Sequence, residues 1–345
     1  MKRKYKVIII GAGAAGLSCA RELADQGVDF LVVEARSRIG GRIMSVETPN
    51  SLLPIDLGAE FIHGMAPETF GWMQKFDLAF YDVNDEHFYL RGNKLVNLPE
   101  YWGKLEKIMK SLAKSKSTDI DIANYIHKQK SLDPAIKASF ISYVEGFHAA
   151  DTRLMSRKAL TESEQAEDDD LNEAQLFRTI QRYDLFLQKI FESLRPRETC
   201  RLMTALKRVD WSPGRVEITC ADTSTDEHMS FECEKLVVTV PLGILKSSQI
   251  QWNPFPNGLE KILESLEMGH VQKLVLKFNY RFWEELTKKP LAFFHSSPNK
   301  YFPTWWTFHP IHAPYLTAWQ GGPKALETHL STKTVATTSV WGALP

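Results

Sequence analysis

Apolar positions recur along this chain in two periods, and those periods divide it into stretches of different kind. The opening "YKVIII" is a continuous apolar run rather than an alternation, which predicts a strand buried on both faces. After Gly11, Gly13 and Gly16, the residues Leu17, Ala20, Leu23 and Ala24 fall on one helical face, and Arg21, Glu22, Asp25 and Gln26 on the other. Gly27 supplies the stop, and "VDFLVVE" reads as a second strand ending in Glu34. From Met65 to Arg195 the period is mainly helical, as in "LFRTIQRYDLFLQKIFESL". Strands return at Arg201, with a hairpin marked by "SPG" (Ser212 to Gly214) and then "KLVVTV". In "HVQKLVLKF" the alternation puts Leu274, Leu276 and Phe278 on one face and Val271, Lys273 and Val275 on the other.

Composition narrows the picture. With 345 residues, 43% hydrophobic and 24% charged, the chain can bury a substantial core, and its length favours two domains. Lys plus Arg equals Asp plus Glu at 42 each, so no global field attracts nucleic acid or an acidic membrane. Cys19, Cys200, Cys220 and Cys233 lack CxxC spacing and suit a reducing, cytoplasmic compartment better than a disulfide framework. Apolar runs are too short to span a bilayer. The acidic run "ESEQAEDDDLNEAQ" reads as a solvated helix face or loop.

The first twenty residues admit two readings. Lys2, Arg3, Lys4 and Lys6 followed by an apolar run have the form of a secretory leader. The pattern nevertheless continues without a break past Ala20, through helix, glycine stop, strand and acid. That continuity selects the dinucleotide-binding unit, in which Gly11 and Gly13 let the backbone approach a pyrophosphate and Gly16 lets helix pack on strand. Glu34 then meets ribose hydroxyls and repels a 2′-phosphate, which disfavours NADP; the turn alone does not separate NAD from FAD. In "EARSRIGGR", Gly40, Gly41 and Arg42 read either as a second anion-binding turn or as an ordinary surface turn.

At these residues the sequence resembles the flavin-dependent amine oxidases, the group of monoamine oxidases, polyamine oxidases and lysine-specific histone demethylases. The segment "VIIIGAGAAGLSCARELADQGVDFLVVEARSRIGGR" carries the resemblance, and "IDLGAEFIHG", "VEGFHAADTRLMSRKAL", "LVVTVPLGILK" and "MGHVQKLVLKFNYRFW" continue it in family order. The resemblance implies an α/β fold with a Rossmann-like GxGxxG FAD-binding domain (residues 1–62 and 197–252) interleaved with an α+β substrate domain (63–196 and 253–345). It implies FAD contacts from Gly11, Gly13, Ala14, Ala15, Gly16, Glu34, Ala35, Arg36, Gly41 and Arg42. Gly58, Ala59, Glu60 and Phe61 would lie along the isoalloxazine and ribityl side, and Val209 would offer backbone groups to adenine. Lys273 matches the family lysine that holds a water near the flavin. His63 matches an active-site histidine of the polyamine-oxidising branch, with a structural loop histidine as the competing reading.

The implied reaction removes a hydride from the carbon alpha to an amine, giving an imine, and oxygen then restores the flavin with release of hydrogen peroxide. Its partners are a small-molecule amine, with "IHG" leaning towards polyamines, and oxygen. Neither nucleic acid nor membrane is among them, and neither metal nor nucleophile is required. Trp305, Trp306 and Phe308 read as pocket lining or as core. His309 and His312 have HxxH spacing on a proline-containing loop that makes a poor metal site.

Two departures from the pattern stand out. Gln181 and Arg182 occupy positions where the family usually has a glycine pair. The chain also stops at "TKTVATTSVWGALP", where family members continue through a second FAD-binding segment. The expectation is therefore a truncated member, complemented by a second chain or active despite truncation. The alternative is a non-catalytic remnant with impaired FAD binding; an NAD-binding dehydrogenase is the third reading.

Overall fold

A computed structural model of the protein describes residues 4–47, 53–83, 86–92, 94–97, 99–114, 118–170, 175–287, 289–296 and 302–327. The tail "TKTVATTSVWGALP" lies outside the described residues. The chain divides into two compact units, each assembled from three segments. The first comprises Met1–Glu60, Glu68–Ala79 and Thr179–Met268; the second comprises Phe61–Pro67, Phe80–Arg178 and Gly269–Pro345.

The first unit is built on a seven-stranded sheet in the order Cys200–Arg201, Phe30–Val33, Lys4–Ile10, His228–Val238, Arg215–Asp222, Thr204–Ser212, Gln251–Asn253. The strand Lys4–Ile10 is central and pairs in parallel on both sides, with Ile8 opposite Leu31 and Leu236. Its apolar run is buried from Val7 to Ile10, as a strand covered on both faces requires. The helix Ala14–Asp25 follows and buries Gly16, Leu17 and Ala20. Gly27, at φ +66°, ends it in the left-handed region that glycine enters without steric cost. The hairpin read from "SPG" joins Thr204–Ser212 to Arg215–Asp222, with Ser212 opposite Arg215.

The second unit carries a six-stranded sheet in the order Val271–Lys277, Tyr315–Gly321, Thr304–Trp306, Phe293–His295, His87–Arg91, Lys94–Asn97. One face of it bears Leu274, Ala318, Trp305, Phe294 and Phe88, register partners across five strands that belong to one buried apolar cluster. A helical portion has its own core, in which Leu105, Leu112, Ile122, Ile126, Phe140, Val144 and Leu160 are buried.

The region from Met65 to Arg195 is less helical than its period suggests. Strands occupy Phe80–Asp82, His87–Arg91, Lys94–Asn97 and Leu176–Thr179. In particular "LFRTIQRYDLFLQKIFESL" splits into the strand Leu176–Thr179, a turn, and the helix Leu185–Ser193. The strand wins because Ile62–His63 supplies an antiparallel partner, with Ile62 opposite Phe177 and His63 opposite Leu176. Tertiary pairing overrides a local period whenever both are compatible with the same apolar residues. Among the described residues, no helix is long and apolar enough to cross a membrane.

Candidate functional site

The glycine turn owes its shape to contacts no side chain would tolerate. A Cβ on Gly16 would sit 1.9 Å from the carbonyl oxygen of Gly11, and one on Gly11 would sit 2.6 Å from Oγ1 of Thr239. Gly11 also holds φ +105° and donates its N–H to Val33 O at 2.8 Å. Thr239 buttresses the turn by donating its hydroxyl to Ile10 O at 2.8 Å. The helix begins behind Gly13, which offers no side-chain cap, and its first turn holds no acidic residue. Neither a side-chain cap nor a first-turn carboxylate offsets the positive dipole end of this helix.

Glu34 closes this turn from the end of its strand. One carboxylate oxygen accepts from the N–H of Ala12 at 2.8 Å and the other from the N–H of Arg36 at 2.9 Å. Two main-chain donors thus fix the carboxylate's orientation. Ala35 and Arg36 follow it on the surface.

Gly40 and Gly41 dock directly on the first turn. Gly40 donates its N–H to Ala12 O at 2.9 Å and bridges Gly13, and a Cβ on Gly41 would lie 3.4 Å from the Cα of Gly13. Gly40 and Gly41 thus form a second turn built against the first, with Arg42 exposed. Next in line, Ala59 donates its N–H to Arg42 O at 3.1 Å, and a Cβ on Gly58 would meet that oxygen at 2.1 Å. Glu60 is buried, and Ala59 is exposed.

The two residues that replace the expected glycine pair have structural partners. Gln181 accepts the N–H of Ala79 on its side-chain oxygen at 3.0 Å. Arg182 donates to Asp184 at 2.9 Å and lies 3.5 Å from Glu47. Asp56, buried beside them, accepts from Ser45 Oγ and from the N–H of Tyr183. Burial, and then the charge of Asp56, push the Tyr183 phenol up to about 12.

Val209 lies in the strand Thr204–Ser212. It is 1% exposed in the sheet interior, opposite Ile218 on one side and Trp252 on the other.

In the second unit, the face opposite the apolar cluster carries Lys273 among polar and aromatic residues. Lys273, Trp319, Thr304, His295 and Tyr89 form one transverse row, and Val275, Thr317, Trp306, Phe293 and His87 form the next. The Lys273 ammonium lies 5.7 Å from the centre of the Trp306 ring. Phe61 sits edge-on to Trp306 at 5.5 Å and tilted to Phe293 at 5.8 Å. The alternation around Lys273 read from sequence is the observed one. The three aromatics read as pocket lining separate, however. Trp306 shares the Lys273 face, whereas Trp305 points into the core, stacks on Phe294 and donates to Phe302 O.

His63 is exposed and edge-on to Phe147 at 6.0 Å. His87 and His295 are joined ring nitrogen to ring nitrogen at 2.7 Å. Burial, then the charge of His87, lower His295 to about 3, so it is neutral over the ordinary range. His312 pairs with Glu284 at 3.1 Å, and no group of three or more metal-ligating side chains occurs among the described residues.

Sequence reasoning missed Thr239, Arg178 and the histidine pair. Arg178 is 2% exposed, and its only sequence signal is a lone charge between Phe177 and Thr179. A surface cavity of about 520 Å³ lined by Leu245, Ile250, Trp252, Phe255 and Leu263 contains none of the site residues expected from the sequence.

A mixed sheet whose first parallel crossover carries this glycine turn, and whose second strand leads into a carboxylate, belongs to the dinucleotide-binding α/β class. More narrowly, residues 14–337 match the family described as flavin containing amine oxidoreductase, and the chain belongs to that family. It is 26% identical over 314 residues to human lysine-specific histone demethylase 2, covering 85% of this chain and 37% of that protein. It is 25% identical over 315 residues to polyamine oxidase 2 of Arabidopsis thaliana, covering 82% of this chain and 61% of the relative. The chain thus spans roughly two to three fifths of the length of these relatives. Among solved structures, putrescine oxidase bound to putrescine superposes with a TM-score of 0.77 at 16% identity, over 99% of this chain and 81% of the other. Cyclohexylamine oxidase from Brevibacterium oxydans IH-35A superposes with a TM-score of 0.78 at 19% identity, over 97% and 79%. The fold is that of the flavin amine oxidases.

Proposed function

We propose that the chain binds FAD through its first unit and oxidises an amine with side chains of its second. The observation that carries this reading is the cradle: two glycines that admit no Cβ, an uncapped helix N-terminus, and a carboxylate held by two main-chain donors. Gly11, Gly13, Ala14, Ala15 and Gly16 would take the pyrophosphate, Glu34 with Ala35 and Arg36 the ribose, and Gly41 with Arg42 a phosphate oxygen. Gly58, Ala59, Glu60 and Phe61 would lie along the ring system. Bound there, FAD would accept the hydride that leaves the carbon alpha to the amine nitrogen.

The chain's own residues would prepare that transfer. The aromatic face around Trp306, Phe61 and Trp319 disfavours a charged amine by desolvation and so selects the neutral form that loses hydride. Lys273 would hold a water at its ammonium and bring positive charge to the reacting side. His63 would orient the substrate by hydrogen bonding. Polyamines are the substrate class we favour, with oxygen as acceptor, in a cytoplasmic setting. A second chain supplying further cofactor contacts would be compatible with this reading.

Titration of the purified protein with FAD and, separately, with NAD tests the cofactor. Saturable FAD binding supports the reading, and binding of NAD alone overturns it. Gln181 and Arg182, in place of a glycine pair, favour a second reading in which the fold is kept without turnover. FAD-loaded protein that no amine reduces would establish it.

A further inference from the structure

We infer that Arg178 is a positioning residue that staples the strand carrying Phe61 and His63 to the sheet carrying Lys273 and Trp306. The inference rests on the proposed amine oxidation for its catalytic consequence, but its geometry belongs to the second unit alone. Arg178 lies on the strand Leu176–Thr179, which pairs antiparallel with Ile62–His63; one further step of that register places it opposite Phe61. Its guanidinium carbon lies 5.4 Å from the centre of the Phe61 ring and 4.0 Å from that of Phe308. One guanidinium nitrogen donates to the carbonyl oxygen of Thr307 at 3.2 Å.

Thr307 is in turn fixed to the six-stranded sheet. Its N–H donates to Ala292 O at 2.9 Å, and its hydroxyl donates to Leu291 O. Thr307 also follows Trp306, the ring beneath the Lys273 ammonium. The guanidinium therefore bridges two sheets, with a cation–aromatic contact at each and a hydrogen bond at one. A planar, permanently charged group suits this role: it can lie over aromatic rings while its N–H groups reach a carbonyl oxygen. A lysine at the same place would keep the charge and lose the stack. At 2% exposure the contacts are desolvated, the condition in which cation–aromatic attraction is strongest.

Arg178→Met and Arg178→Lys test the inference, with amide hydrogen exchange as the first readout. Both variants are expected to raise exchange at residues 61–64 by roughly tenfold or more, with Val271–Lys277 and Tyr315–Gly321 unchanged. In FAD-loaded protein the amine-dependent kcat is expected to fall by more than KM rises, because His63 and Lys273 no longer hold a common geometry. Wild-type exchange at 61–64 in both variants overturns the inference. So does a uniform rise across all strands of the unit, which marks a general stabilising role. If the wild-type chain binds no FAD, the functional proposal fails by itself, and the exchange pattern still decides the staple. If Arg178→Met does not fold, Arg178→Lys gives the same comparison.

Discussion

Among single residues, those whose atoms have no room to move constrain the protein most. Gly16 is one such place, since a methyl group there would lie 1.9 Å from a carbonyl oxygen of the turn it must pack against. Gly16→Ala is therefore expected to push the helix from the strand and weaken FAD binding at least tenfold, as read by a fluorescence titration. Equal affinities would remove the glycine turn from the proposed site. Lys273 makes a different claim. Lys273→Met keeps the length and loses the charge, so FAD affinity should stay within about threefold while amine-dependent turnover falls by about a hundredfold or more. A variant with wild-type turnover would leave the lysine as an ordinary member of its strand.

At the scale of elements, close backbone approach again decides. The strand Tyr315–Gly321 ends where a Cβ on Gly321 would sit 2.4 Å from the carbonyl oxygen of Glu145, near the end of the helix Pro134–Phe147. Gly321→Ala should destabilise the protein by about 1–3 kcal/mol through overpacking. Gly103, inside the helix Pro99–Lys114, has nothing within 4 Å of its Cβ position. Gly103→Ala should instead stabilise by about 0.5–1 kcal/mol, and denaturant midpoints of the pair test the contrast. The elements also show what the sequence could carry. The opening strand, helix, glycine stop and second strand were legible because each is specified locally, by an apolar run, a helical face or a turn residue. The strand Leu176–Thr179 was not, because its partner lies more than a hundred residues away and its own letters fit a helix equally well. Arg178 was hidden for the same reason: within a helical period it reads as part of a polar face, and only the strand pairing turns it towards Phe61. The Lys273 face was legible as an alternation, but which aromatics share it depends on the registers of four neighbouring strands.

For the whole molecule, two compact units, each assembled from three segments of chain, would take cofactor and amine respectively under the proposed function. Acid stability is a property of the whole chain to which one buried group contributes a definite sign. His295 is held at about 3 in the folded protein, well below the ordinary histidine value near 6.5. Between those values the unfolded chain binds a proton that the folded one refuses, so stability falls as pH falls through that window. His295→Phe should therefore show a flatter dependence of Tm on pH between about 6.5 and 4 than the parent protein, whatever its absolute Tm. Parallel curves would contradict the buried neutral imidazole. The central claim, that this fold still oxidises amines on FAD, is tested most directly by mixing FAD-loaded protein with spermine or another amine without air and following the visible flavin absorption. The absorption is expected to bleach, and air to restore it with release of hydrogen peroxide; colourless protein that cannot be reconstituted with FAD, or a flavin band that no amine bleaches, would contradict that claim.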